Sequence, residues 1–145
     1  MRRIGTVIML LIFLTSCNNN PEEQLEYING YWGIEKVEFT KDSIRDFKIN
    51  EIVDYIEIID SIGFRTKVKP QFDGTYISAG EPEDIIVKIE DEKVALYYST
   101  PFNKWKEIIV ASSKEKLSLK NERGIIYHYK RYQPLKLDLD EKENE

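Results

Sequence analysis

The chain has 145 residues, with 21 Lys and Arg against 26 Asp and Glu, one His and one Cys, for a net charge of −5. This length holds one domain rather than two full cores; one cysteine excludes an internal disulfide framework, and one histidine excludes any two-His metal motif. The acidic balance argues against nucleic acid, whose binding needs a basic stripe that displaces counterions. The apolar fraction of 41% includes a leader that must be set aside before it counts toward a core.

Residues 1–16 read as a secretory signal peptide. Arg2 and Arg3 form a basic n-region, Val7 to Leu14 a compact apolar run, and Thr15-Ser16 a small pair before Cys17. The run is too short to stay in a bilayer as a spanning helix. The tetrapeptide Leu14-Thr15-Ser16-Cys17 resembles the lipobox of bacterial lipoproteins. That resemblance implies a diacylated Cys17, cleavage of the peptide before it, and acylation of the new amino terminus. Loss of Arg2 and Arg3 makes the mature chain more acidic still. Acyl chains, at about 0.8 kcal/mol per buried methylene, would then hold the protein to the lipid bilayer. With Asn18 rather than Asp after the cysteine, the resemblance implies a cell-envelope location on the outer membrane, at its periplasmic face or the cell surface. Residues 17–26 read as the lipidated cysteine and a polar tether, Asn18 to Gln24 showing no periodicity.

From residue 30 onward the chain is a series of short alternating runs separated by turn chemistry. The runs are Gly30 to Phe39, Asp54 to Ile59, Phe64 to Lys69, Thr75 to Ser78, Ile85 to Glu90, Val94 to Thr100, Trp105 to Ser112, Lys116 to Leu119 and Gly124 to Tyr132. Turns fall at Asp60-Ser61-Ile62-Gly63, Asp73-Gly74, Asp91-Glu92-Lys93, Ser113-Lys114-Glu115 and Asn121-Glu122-Arg123-Gly124. Lys41 to Ile52 carries a poor helical pattern through Ile44, Phe47 and Ile52, and reads as a lid-like loop with about two helical turns. Hairpin-short connections favour up-and-down order. The expectation is an all-β fold: a single up-and-down antiparallel β-barrel of about 8–10 strands over residues 27–134. Residues 135–145 form an acidic tail whose composition predicts disorder.

Gly30-Tyr31-Trp32 resembles the Gly-x-Trp signature of lipocalins. The resemblance implies that Trp32 closes the bottom of the barrel and packs against an arginine of the last strand, the part open to Arg131. Tyr127, Tyr129 and Arg131 share one strand face by alternation. A leader with a lipobox, a Gly-x-Trp strand and a final Tyr-x-Tyr strand together resemble the small lipocalin-like lipoproteins of bacteria. A ten-stranded barrel of the fatty-acid-binding type is a neighbouring possibility. The implied function is binding of a small apolar or amphipathic ligand.

Arg65, Lys67 and Lys69 alternate, so they point to one side of their strand. Facing inward, they would neutralise a ligand carboxylate or phosphate. Facing outward, they would be a solvated face, with Phe64, Thr66 and Val68 inside. The first arrangement defines a candidate ligand site of Arg65, Tyr76, Trp105, Tyr127 and Tyr129. Catalysis has no recognisable constellation, since His128 would serve any triad alone. Asp91-Glu92 is a turn rather than a calcium cage, and no Gly-rich phosphate loop is present. The reading is therefore non-enzymatic, without metal or cofactor. Two functions stand: a tethered ligand cup, or a filled barrel that docks a protein partner of the envelope.

Overall fold

The structure, a computed structural model, describes residues 20–134; the leader, Cys17 and the tail from residue 135 lie outside the described residues. A short helix α1 (Pro21–Glu26) comes first. The Asn20 side chain accepts from the Glu22 amide, Pro21 opens the first turn, and Glu22 and Glu23 complement the helix dipole. The tether reading is corrected from residue 21 onward. Six residues are too few to show a helical period, and capping carries the signal instead. Gln24 is buried, and Leu25 packs on the core.

Ten strands follow: β1 (Gly30–Thr40), β2 (Ser43–Asp46), β3 (Val53–Ile59), β4 (Ile62–Pro70), β5 (Tyr76–Ser78), β6 (Glu83–Glu90), β7 (Lys93–Ser99), β8 (Lys104–Ser112), β9 (Lys116–Asn121) and β10 (Ile126–Arg131). Eight of them, β1, β3, β4, β6, β7, β8, β9 and β10, pair in chain order, and β10 pairs back on β1 to close the ring. Closure removes the sheet edges that an open sheet of this size would expose. The remaining two are side branches: β2 pairs with the far half of β1, and β5 pairs with the end of β4. The helical turns expected within Lys41–Ile52 are thus replaced by a strand. Ile44 and Arg45 extend the β1 hairpin, and the loop after Asp46 returns the chain to β3.

The turns are tighter than the sequence suggests. Asp60 and Ser61 alone join β3 to β4, at φ +50° and +72°, and Asp91 and Glu92 join β6 to β7, at +49° and +61°. Two consecutive residues at positive φ make the hairpin turn whose twist matches that of the flanking strands. Gly63, expected in a turn, instead lies within β4 opposite Ile58 and Ile85. A Cβ there would sit 1.9 Å from the Glu57 carbonyl oxygen and 2.7 Å from the Ile58 Cα. Backbone rather than a flexible side chain stands in the way, so the strands themselves would have to shift. Gly63→Ala is expected to destabilise the barrel by about 3 kcal/mol, the upper range for overpacking. A urea midpoint unchanged from the parent would contradict this.

One end of the barrel is packed solid. Ile28, Trp32, Ile56, Ile85, Val94, Leu96, Leu117 and Leu119 are essentially inaccessible, and Leu25, Ile34 and Ile58 pack against them. At eight strands a barrel is just wide enough for side chains to fill, and these branched residues fill it. The opposite half is different.

Candidate binding site

The closed end is built around Trp32. Its indole N–H donates to the Ile28 carbonyl at 2.7 Å, and the Arg131 guanidinium lies 3.8 Å above its ring. The same guanidinium donates to the carbonyls of Tyr27 at 2.6 Å, Asn29 at 2.7 Å and Lys114 at 2.9 Å. A single cation thereby ties the segment before β1 to the β8–β9 turn. Gly30 makes room for it: its φ is +122°, and a Cβ there would stand 2.5 Å from Arg131 Nη1.

Register decides what faces the other half of the interior. Arg65 pairs with Ile56, whose side chain is in the core, and Gly63 pairs with Ile58 and Ile85. Odd positions of β4 therefore point inward up to Lys67, and Phe64, Thr66 and Val68 belong to the outer face. The solvated-face reading of Arg65 is thereby corrected. The apolar residues of this strand, Ile62, Phe64 and Val68, all share the outward parity, so pairing with β3 and β6 rather than hydrophobic alternation decides the face. Arg65 Nε meets Glu83 at 2.6 Å and Nη1 meets Glu107 at 3.2 Å, with the guanidinium 4.4 Å above the Tyr98 ring. Lys67 Nζ meets Asp54 at 2.8 Å. Trp105 is stacked on Tyr98, with ring centroids 5.1 Å apart and planes within 7°.

Asp54, Arg65, Lys67, Trp105, Glu107, Tyr127 and Tyr129 line a cavity of about 510 Å³ that extends to Asn103, Lys106, Asn121, Glu122 and Arg123 in the surrounding segments. Four of the five proposed ligand residues meet here. Tyr76 does not: it pairs with Pro70 on the outer side and stacks on Tyr31 with centroids 4.1 Å apart. The hairpin alternation placed it on a strand but could not show that β5 lies off the ring. Lys69 is likewise exposed and absent from the cavity lining. Sequence reasoning missed Glu83, Glu107 and Asp54. A carboxylate at an inward position of an alternating strand opposite a lone inward cation was the available signal.

Burial pushes the Glu107 carboxyl up from its ordinary value of 4.5; Glu83 and Asp54 add to this, and the Arg65 charge opposes it. Burial likewise pushes the Tyr98 and Tyr129 hydroxyls well up. Between 4.5 and the raised value, the folded chain holds the Glu107 proton and the unfolded chain does not. The contribution of Glu107 is therefore fullest below 4.5 and is lost as pH rises through the raised value. The stability of the parent minus that of Glu107→Gln is expected to fall with rising pH across this window. Urea midpoints for both proteins between pH 4 and 8 check it, and a difference that rises with pH would contradict it.

The outer wall carries a second polar group. Ser118 faces His128 across β9 and β10, with Oγ 2.8 Å from Nδ1, and Nε2 lies 3.4 Å from Glu38 on β1. Ser118 is buried in the ladder, and none of the three residues lines a described cavity. The surrounding strand amides are engaged in pairing rather than converging on an oxyanion position. The trio pins three strands together. Among the described residues no three His, Cys, Asp or Glu side chains converge as a metal site.

The ring order and the Trp32–Arg131 closure define an eight-stranded up-and-down antiparallel β-barrel closed at one end. No protein-family model and no curated protein matches the chain. Among solved structures, the chain is similar to an uncharacterized protein from Bacteroides eggerthii, at 12% identity over 72% of this chain and 98% of that one, with a TM-score of 0.45. It is also similar to a lipocalin-like protein from Bacteroides uniformis, at 9% identity over 72% and 97% of the two chains, with the same TM-score of 0.45.

Proposed function

We propose that the protein is a lipid-anchored binding module of the cell envelope, a half-filled barrel that holds a small amphipathic molecule. The observation that carries this reading is the division of the interior: a solid apolar end beneath a cavity of about 510 Å³. That volume falls within the roughly 300–1,000 Å³ of small-molecule pockets. Anchoring rests on the Leu14-Thr15-Ser16-Cys17 motif, and the position of α1 gives it a geometric consequence. Cys17 is three residues before Asn20, the cap of the helix that packs at the closed end. Chain reach then keeps that end within about 10 Å of the lipid, and the mouth faces away from it. The mature protein is expected to show acyl mass at Cys17, and an unmodified Cys17 would overturn the anchor.

The docking alternative has one observation in its favour. Ile59, Ile62 and Ile86 lie side by side across β3, β4 and β6 on the outer wall, each more than half exposed. Tryptophan fluorescence separates the two readings, because Trp105 lines the cavity and Trp32 does not. A change in emission with a small molecule, lost in Trp105→Phe, supports the cup. Silence across a broad metabolite panel together with a co-purifying polypeptide supports docking.

A further inference from the structure

Resting on the reading of the barrel as a cup, we infer that its ligand is an uncharged saccharide rather than a lipid. The lining of the cavity contains no aliphatic side chain among the described residues. The leucines, isoleucines and valines of the barrel interior lie in the packed end. What remains is aromatic and hydrogen-bonding: Trp105, Tyr127 and Tyr129 beside carboxylates, amides and the Arg65 guanidinium.

The inward charges of this wall are matched to one another; the other charged lining residues are Lys106, which reaches Glu90, and the turn residues Glu122 and Arg123, of opposite sign. Arg65 is held by Glu83 and Glu107, and Lys67 by Asp54. An anionic ligand seeking Arg65 would have to displace two carboxylates, and a cation seeking Glu107 would have to displace Arg65. An uncharged ligand leaves these pairs in place. It then uses the capacity they leave over, since a carboxylate accepts about four hydrogen bonds and a guanidinium donates five. Neighbouring hydroxyls of a sugar ring present donors and acceptors at the spacing of such planar groups. The apolar C–H face of the ring matches the face of an aromatic side chain that is amphipathic in the same sense. Stacking on Tyr98 fixes the Trp105 plane before any ligand arrives, which lowers the entropy lost on binding.

The test is calorimetric titration of the non-acylated protein, residues 18–145, guided by an array of neutral mono- to tetrasaccharides, with palmitate and a zwitterionic amino acid as competitors. A neutral saccharide is expected to bind, to lose at least tenfold in affinity in Trp105→Ala, and to be unaffected by Tyr76→Ala on the outer wall. Its affinity is expected to change little between 50 mM and 500 mM salt, because no net charge is neutralised. If palmitate or the amino acid binds in the saccharide's stead and Trp105→Ala weakens it, the ligand class is wrong and the cup stands. If no member of the array, palmitate or the amino acid binds, and the protein taken from its own host carries no small molecule, both readings fall. If that protein carries a non-saccharide, only the class falls.

Discussion

Replacing Trp32 by alanine is expected to cost about 3–5 kcal/mol, the range for a fully buried large aromatic, measured as a shift in urea midpoint at neutral pH. Trp32 is completely buried among Ile28, Ile56 and the leucines of β9. Its loss opens a cavity in the only part of the barrel that is packed solid, and it strands the Ile28 carbonyl. Arg131 loses the ring it covers but keeps its three carbonyl partners. Arg131→Ala is accordingly expected to cost less, about 2 kcal/mol, the scale of hydrogen bonds to a charged group. Trp105→Ala, at a half-buried position on the cavity wall, is expected to cost less than Trp32→Ala. A Trp32→Ala variant within 1 kcal/mol of the parent would contradict the closure described here.

Arg65→Ala is expected to destabilise by about 3–5 kcal/mol, for a different reason. The net worth of a buried ion pair is small, because desolvation offsets attraction, yet removal of one partner leaves the other charge buried and uncompensated. Glu107 is only 5% exposed, whereas the Glu83 side chain is 25% exposed and is solvated more easily. Most of the penalty therefore falls on Glu107. An Arg65→Met, Glu107→Leu double variant removes both charges and fills the space with apolar atoms. It is expected to be more stable than Arg65→Ala, and close to the parent. The comparison isolates the cause. A double variant as unstable as the single one would show that Arg65 acts through its packing on Tyr98 rather than through charge.

How much of this was legible beforehand differs from element to element. Strand alternation and short turns carried the barrel, since period two and positive-φ turn residues are local properties. Motif resemblance brings Trp32 and Arg131 together, and their geometry adds what the motif does not say: Gly30 holds φ +122°, which strains any side chain, and its missing Cβ leaves the space that Arg131 Nη1 occupies. The inward face of β4 was not legible. Phe64 and Val68 on one side and Arg65 and Lys67 on the other are each consistent with burial once carboxylates are supplied from β3, β6 and β8. Pairing of distant strands decides this, and no local pattern records it. For the same reason Tyr76 was placed in the cavity, because a three-residue strand does not reveal whether it joins the ring or hangs outside it. The helix at Pro21 was hidden by its length, and β2 by a hydrophobic pattern that fits neither period cleanly.

The inward Arg65 is already neutralised by Glu83 and Glu107, and the lining around it is aromatic and polar. In the proposed function the barrel holds a small molecule. Native mass spectrometry of the delipidated protein purified from its own host tests this most directly. The expected result is a retained small-molecule mass that is lost in Trp105→Ala. A spectrum showing only the polypeptide, under conditions that keep it folded, would contradict it.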